Sequence, residues 1–88
     1  MMYKVRIKNS AKGDLRKLKH SNLKDNYKEI EEQLKKNPYK PNQGFEKLEP
    51  PLLKKYSRRI NIQHRVVYTV DEQHKTVNIY SAWSHYEK

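Results

Sequence analysis

The sequence contains no cysteine and only two glycines, and these shortages exclude several kinds of small protein. Without cysteine, the 88-residue chain has neither a disulfide framework nor a thiolate metal site, so its fold must rest on apolar packing. It lacks a glycine-rich phosphate loop, and its four histidines show no metal-ligand spacing with carboxylates. No apolar run is long enough for a signal peptide or a membrane span. We therefore expect a single cytoplasmic domain over residues 1–88, with no metal, cofactor or membrane partner.

Positive charge is abundant. The chain has 20 Lys and Arg against 10 Asp and Glu, for a net charge of +10. Between Lys35 and Arg65 there are nine Lys and Arg but only two Glu, so +7 of this excess lies in one segment. Tyr39, Phe45 and Tyr56 are interleaved with these cations. Such a pattern suits a nucleic-acid backbone with bases available for stacking, although a merely soluble, lysine-rich surface explains the charge alone equally well.

The first half of the chain predicts a strand and two helices. Their apolar positions recur at the spacing of each element: Tyr3, Val5 and Ile7 for the strand, Ala11, Leu15 and Leu18 for the first helix, and Leu23, Tyr27, Ile30 and Leu34 for the second. We expect Asn9 or Ser10 to cap the first helix and Ser21 or Asn22 to cap the second. The second helix should end before Pro38, because the residue preceding a proline disfavours helical geometry.

The second half predicts a long loop and three strands. Residues 38–51 read PYKPNQGFEKLEPP and carry all four prolines, which indicates a loop with a short extended piece over 45–48. Strand-like segments follow at 54–61, 64–71 and 76–83, and their hairpin-sized separators predict an antiparallel meander. The order β-α-α-β-β-β predicts an α+β domain with both helices on one face of a four-stranded, mainly antiparallel sheet. The other face should stay open.

Three side chains could together cleave RNA without a metal. Attack by the neighbouring 2′-hydroxyl needs a base for that hydroxyl, an acid for the leaving 5′-oxygen and a cation for the phosphorane. The sequence offers a carboxylate in the loop, a histidine near the end and an arginine in the meander: Glu49, His85 and Arg65. From the residues alone, an ordinary solvated loop carboxylate is the favoured interpretation of Glu49. Arg65 could equally be a structural ion-pair partner of Asp71 or Glu72.

Three pieces of the second half are specific in combination: Ser-Arg-Arg-Ile from Ser57, His-Arg-Val-Val-Tyr from His64, and the closing His85-Tyr86. With the loop EKLEPPL ahead of them, the sequence resembles the YoeB/Txe family of toxins in the RelE superfamily. The resemblance implies a RelE-like fold and a ribosome-dependent endoribonuclease that cleaves messenger RNA in the A site, without a metal, and so inhibits translation. It also implies a homodimer and a cognate antitoxin, acidic and YefM-like.

The resemblance also implies roles for residues ahead of the last strand. The family's general base is a glutamate directly before a proline, a context that Glu49 occupies and Glu46 does not. Its phosphate-stabilising arginine follows a histidine at the start of a strand, which corresponds here to Arg65. Basic residues in and ahead of the Ser-Arg-Arg strand are candidate RNA contacts: Lys54, Lys55, Arg58 and Arg59.

At the end of the chain, the resemblance makes His85 the general acid and Tyr86 its aromatic neighbour. Family members often end on this pair, whereas this chain continues with Glu87 and Lys88, so any role of the terminal carboxylate would be displaced. A second hypothesis is a non-catalytic RNA-binding or ribosome-associated module, in which charge and aromatic residues act alone and His85 is incidental. It predicts binding without cleavage.

Overall fold

The computed structural model describes residues 2–85, with side chains described for residues 2–83. Within this range the chain forms two helices, five strands and one 3₁₀ turn. In chain order they are β1 (Lys4–Ile7), α1 (Asn9–Lys19), α2 (Lys24–Lys36), β2 (Glu46–Lys47), the 3₁₀ turn (Pro51–Leu53), β3 (Lys55–Arg59), β4 (His64–Asp71) and β5 (Thr76–His85). The predicted α+β order is confirmed.

The strands form one mixed sheet in the order β1-β5-β4-β3-β2. β1 pairs in parallel with β5, and the other neighbours are antiparallel, so the predicted meander of β3, β4 and β5 is present. The sheet has five strands where the sequence predicted four. The additional strand is the two-residue β2, which lies in the extended piece expected inside the loop.

The helices begin near the predicted positions but without the predicted caps. Lys8 and Leu23 occupy the N-cap positions, and neither forms a side-chain cap. Ser10 is already helical, and its Oγ donates to Tyr80 O at 2.7 Å, which ties α1 to β5. Ser21 Oγ donates to Leu18 O at 2.9 Å and accepts from Leu23 N at 3.1 Å, which closes the turn between the helices. One tertiary hydrogen bond and two turn hydrogen bonds thus take the place of the expected caps.

The core lies between the helices and one face of the sheet. Val5 and Ile7 of β1 pack against it, whereas Lys4 and Arg6 are exposed, as the alternation of β1 predicted. We call the sheet surface opposite the helices the outer face. The buried apolar side chains are Ala11, Leu18, Tyr27, Ile30, Leu34, Ile60, Val66, Tyr68, Val77, Ile79 and Ala82. Burial of their apolar area is the main favourable contribution to folding, because no disulfide contributes.

Irregularities in the β4–β5 ladder reshape one end of the sheet. The register shifts between Arg65 and Val67 and again between Val67 and Tyr68, so β5 carries extra residues there. Such bulges increase local twist and redirect side chains. Ala82 N donates to Asp14 Oδ2 at 3.1 Å, so a carboxylate of α1 satisfies a backbone donor at this point. None of the helices in the described range has the length and apolar character that spanning a membrane requires.

Candidate active site

Arg65 is a firmly held cation on the outer face. It is the second residue of β4, and its side chain is only 12% exposed. Nη1 donates to Ser57 Oγ at 3.0 Å and more weakly to Gly44 O at 3.4 Å, while Nη2 lies 3.5 Å from Glu46 Oε2. A guanidinium fixed in this way presents planar donors to a phosphate without first having to be ordered.

Strand register explains why these groups meet. Glu46 of β2 lies opposite Ser57 of β3, Ser57 lies opposite Val67 of β4, and Arg59 lies opposite Arg65. Directly opposite residues on antiparallel strands share a face, so the two arginines and the carboxylate all belong to the outer face. Like charges placed opposite each other are destabilising, and a bound anion would relieve that repulsion. The geometry therefore fits an anionic ligand.

The turn before β2 depends on Gly44. Its φ is +66°, and a Cβ atom at this position would lie 2.9 Å from Arg59 Cβ. Glycine adopts positive φ without steric penalty and lets backbones approach closely. The turn therefore passes directly beside Arg59, and this places the Gly44 carbonyl within reach of Arg65.

The carboxylate beside Arg65 is Glu46, although the sequence favoured Glu49. Glu49 is exposed and follows β2, and its peptide bond to Pro50 is cis. The chain runs away from Arg65 along β2, which ends at Lys47, so Glu49 lies beyond the end of β2 that is farther from Arg65. The proline after Glu49 does not indicate which carboxylate lies beside Arg65, whereas the pairing of Glu46 with Ser57 does.

The backbone of His85 lies at the same end of the sheet as Arg65. His85 is the last residue of β5 and lies opposite His64, and the neighbouring Ser84 lies opposite Arg65. The His64 ring stacks on Trp83, with centroids 4.2 Å apart and planes 20° apart, which anchors β5 just before His85. Tyr86, the predicted aromatic neighbour, lies outside the described residues.

Arg58 corrects one prediction, because it is not available to RNA. The side chain is completely buried on the helix side of β3. Its Nε donates to Tyr68 Oη at 3.0 Å, and the guanidinium lies 5.0 Å from the Phe45 ring centroid. Its terminal nitrogens donate to five loop acceptors: Pro38 O, Lys40 O, Asn42 O, Asn42 Oδ1 and Gln43 Oε1. Arg58 therefore holds the loop that leads to the site.

The other predicted RNA contacts are exposed. Lys54 follows the 3₁₀ turn with left-handed backbone geometry, Lys55 begins β3, and Arg59 ends it. Alternation along β3 places Lys55 and Arg59 on the same face as Ser57. These two cations and Arg65 therefore form a basic outer face along β3.

The loop aromatics pack on one another. Phe45 stacks on Tyr56 with centroids 5.6 Å apart, and Tyr39 meets Tyr56 edge-on at 5.6 Å. Tyr56 also contacts the buried Tyr68, whose pKa is raised to about 12 by burial. Tyr39 is the most exposed of the three, at 36%, whereas Phe45 and Tyr56 are half-buried. Stacking between bases and these rings, which the sequence suggested, is therefore most open at Tyr39.

Sequence reasoning missed Ser57 and Gly44 as parts of the site. Their signals were weak: Ser57 begins the Ser-Arg-Arg motif on the same face as Arg59, and Gly44 is one of two glycines. In the described range, no group of three or more His, Asp or Glu side chains is arranged to hold a metal ion.

The family profile of YoeB-like toxins of bacterial type II toxin-antitoxin systems matches residues 9–86. No curated protein matches the chain. Among solved structures, the YoeB/ParE toxin from Agrobacterium tumefaciens shares the fold, with a TM-score of 0.83 at 21% identity over 94% of this chain and 99% of that one.

Two structures from Staphylococcus aureus are more similar in sequence. The YoeB dimer has a TM-score of 0.82 at 28% identity, covering 98% of this chain and 100% of that one. The YoeB-YefM complex has a TM-score of 0.76 at 31% identity, with the same coverage. Because the family profile spans nearly the whole chain and the structural similarity spans all but its ends, this protein belongs to the YoeB-like toxins of the RelE superfamily and is the toxin of a type II toxin-antitoxin system.

Proposed function

We propose that this toxin is an endoribonuclease that cleaves messenger RNA in the ribosomal A site and so inhibits translation. The observation that carries the proposal is the outer-face cluster in which Arg65 lies opposite Arg59, donates to Ser57 and pairs with Glu46. It unites a cation for a phosphate with a carboxylate able to accept a proton. Membership of the YoeB-like family supports a nuclease, and the basic outer face supports an RNA substrate.

The proposed reaction is an internal transfer that needs no metal. A carboxylate accepts the proton of the 2′-hydroxyl, and the 2′-oxygen attacks the adjacent phosphorus. Arg65 stabilises the charge that accumulates on the phosphorane oxygens. The bond to the 5′-oxygen then breaks, His85 donates a proton to that oxygen, and Tyr86 supports the acid. The products are a 2′,3′-cyclic phosphate and a 5′-hydroxyl end.

Glu46 is our choice for the carboxylate. A general base must lie within hydrogen-bonding reach of the proton that it removes, close to the group that stabilises the phosphate. Glu46 lies 3.5 Å from Arg65 and is 56% exposed, so it adjoins the cation and remains open to substrate. Glu49, the sequence-based candidate, would need the loop after β2 to move toward Arg65. The two carboxylates are therefore tested side by side.

Partners follow from the same proposal. The S. aureus relative was solved as a YoeB-YefM complex and as a YoeB dimer, which supports an acidic, YefM-like antitoxin and a homodimer for this chain. A cytoplasmic location agrees with a substrate on the ribosome. Sedimentation of the purified toxin would test the dimer, and co-purification with the product of the neighbouring gene would test the antitoxin.

Induced expression tests the function directly. We expect growth arrest and new 5′-hydroxyl messenger-RNA ends at ribosome-occupied codons, and we expect both to disappear in Arg65→Ala and His85→Gln. Purified ribosomes programmed with RNA carrying 2′-hydrogen at the cut site should show no cleavage, and cleavage of ordinary RNA should survive metal chelation as long as the ribosomes stay intact. Arrest and RNA binding that persist in both variants without new ends would instead establish the non-catalytic RNA-binding module.

A further inference from the structure

A second basic surface lies on the outer face, at the edge strand opposite β2. Lys4, Arg6 and Lys8 of the β1 segment line an open groove of about 720 Å³. Thr76 and Asn78 of β5 form its polar wall. We call this surface the β1 groove. The proposed cleavage reaction uses none of its residues.

The register connects the β1 groove to the basic surface along β3. Arg6 lies opposite Asn78, Asn78 opposite Thr69, and Thr69 opposite Lys55. A single cross-strand row therefore runs over four strands, with a cation at each end and an amide and a hydroxyl between them. Lys55 at one end is a proposed RNA contact on β3, four residues from Arg59, which lies opposite Arg65. Arg6 therefore marks the other end of a continuous polar track that starts on this strand.

The distance between Arg6 and Arg65 suits a flexible polymer and exceeds the reach of a single nucleotide. Arg6 lies at the level of Thr69, four residues along β4 from Arg65 and two strand spacings to the side. With about 3.3 Å per residue and about 4.8 Å per strand, the two Cα atoms are about 16 Å apart. A ligand that contacts both positions must be extended.

Charge in the β1 groove is largely uncompensated. Among the side chains of residues 2–83, no ion pair involves Lys4, Arg6 or Lys8. The acid that lines the groove, Asp71, accepts a hydrogen bond from His74 N at 3.2 Å, and its carboxylate lies 2.8 Å from His74 Nδ1. These cations lie on a chain of net charge +10, so a polyanion is the complementary ligand.

We propose that the β1 groove binds the phosphate backbone of the single-stranded RNA that flanks the cleaved bond. This inference rests on the proposed function, because it extends the substrate track of the same site. The lining favours RNA over an acidic protein segment, since amide and hydroxyl groups separate the cations and no apolar pocket offers an anchor for a peptide side chain. Bound along the row, the RNA backbone would contact Arg6 and Lys55 at once.

The test compares two double variants of equal charge. Lys4→Gln/Arg6→Gln removes one lysine and one arginine from the β1 groove. Arg16→Gln/Lys17→Gln removes the same pair from the exposed surface of α1, in the helical layer. Thermal unfolding of both variants and the wild type establishes that each is folded.

The ligands are cleavage-resistant 2′-O-methyl RNAs of about 4 and about 12 nucleotides, within the range of site sizes of small single-strand-binding domains. Fluorescence anisotropy at several salt concentrations gives the affinity and its salt dependence. For the groove variant and the longer RNA, we expect roughly tenfold weaker binding and a log-log salt slope about 1.4 smaller, from two lost contacts at about 0.7 each. The shorter RNA should bind both variants like the wild type.

Several results would overturn the proposal. Equal losses of RNA affinity in the two variants would mean that binding depends only on the net charge of the protein and not on the β1 groove. Unchanged binding of the longer RNA to the groove variant, or no RNA binding by the wild type, would remove the site altogether. If the groove variant lost affinity for an oligo-glutamate peptide of matched charge as much as for RNA, the β1 groove would be a general polyanion-binding surface. Length-dependent binding without cleavage of unmodified messenger RNA would refute the nuclease while leaving the groove in place.

Discussion

Arg65 and Glu46 form an ion pair on the outer face, with Nη2 and Oε2 3.5 Å apart. Their strands, β4 and β2, are not neighbours in the sheet. β3 lies between them and contributes Ser57, whose hydroxyl accepts from Arg65. Because the Glu46 side chain is 56% exposed, the pair contributes at most about 1 kcal/mol to stability. We therefore expect its importance to be chemical, because it would hold the proposed proton acceptor beside the proposed phosphate-binding cation.

Replacing Glu46 should stop cleavage without unfolding the protein. Glu46→Gln preserves the size of the side chain but removes the proton acceptor, and general base catalysis typically contributes about 10²–10⁴ in rate. We expect a loss of that order in ribosome-dependent cleavage, measured by primer extension, with little change in the unfolding temperature. Glu49→Gln is the matched control and should retain most activity. The reverse pattern would return the role of base to Glu49.

Removing the Ser57 hydroxyl should weaken the reaction through Arg65. Ser57 is completely buried and uncharged, so we expect it to position Arg65 and not to contact the RNA itself. Ser57→Ala deletes one hydrogen bond, worth about 1 kcal/mol, and should lower kcat several-fold while KM changes little. Ser81→Ala, in the same cross-strand row opposite Val67, is the control. Equal effects of the two variants would show that the hydroxyl only packs the sheet.

The neighbouring arginines of β3 should behave in opposite ways. Arg58→Met leaves loop carbonyls and the Tyr68 hydroxyl buried without their donor, so we expect a loss above about 3 kcal/mol in the free energy of unfolding. Arg59→Met changes an exposed side chain and should stay within about 0.5 kcal/mol. Its RNA affinity should fall. Urea unfolding and anisotropy on the same samples measure both quantities, and a stable Arg58→Met would contradict the assigned loop-holding role.

The layers of this fold could be read from the sequence because periodicity encodes them directly. Tyr3, Val5 and Ile7 alternate as a half-buried strand must, and Tyr27, Ile30 and Leu34 follow the helical repeat. Local signals also placed the extended piece at Glu46 in the proline-rich loop. They did not make it a fifth strand, because two residues form a strand only when β3 is there to pair with them.

The contacts of the site residues could not be read from the sequence where long-range packing decides them. Alternation along β3 puts Arg58 and Arg59 on opposite faces, but it does not show that a loop about twenty residues earlier supplies acceptors for Arg58. The choice of Glu49 over Glu46 followed the adjacent proline, whereas distance from Arg65 depends on the register of three strands. Register is a property of the assembled sheet, so no single segment reveals it.

The hydrogen-bonded Glu72 should make part of the stability depend on acid pH. The hydrogen bond from Lys75, followed by those from Tyr39 and Tyr3, lowers the pKa of Glu72 from 4.5 to about 2. Since the pKa is lower in the folded state, the contribution is fully present above pH 4.5 and is lost as the pH falls toward 2. We therefore expect the wild type to unfold at a higher temperature than Glu72→Gln at neutral pH.

The difference in unfolding temperature between the wild type and Glu72→Gln should shrink steadily between pH 4.5 and pH 2. Circular-dichroism melting curves at several pH values measure it. Glu29→Gln is the control: it also removes one carboxylate, from the exposed surface of α2, but no ion pair or hydrogen bond involves that side chain among residues 2–83. Subtracting its effect corrects for the change in net charge, which alone alters stability in so basic a protein. A difference between wild type and Glu72→Gln that stays constant down to pH 2 would mean that Lys75 and the two tyrosines do not hold the ionised form of Glu72. The attachment of the β4–β5 hairpin to β1 and the loop would then rest on packing and on the backbone hydrogen bonds between β1 and β5.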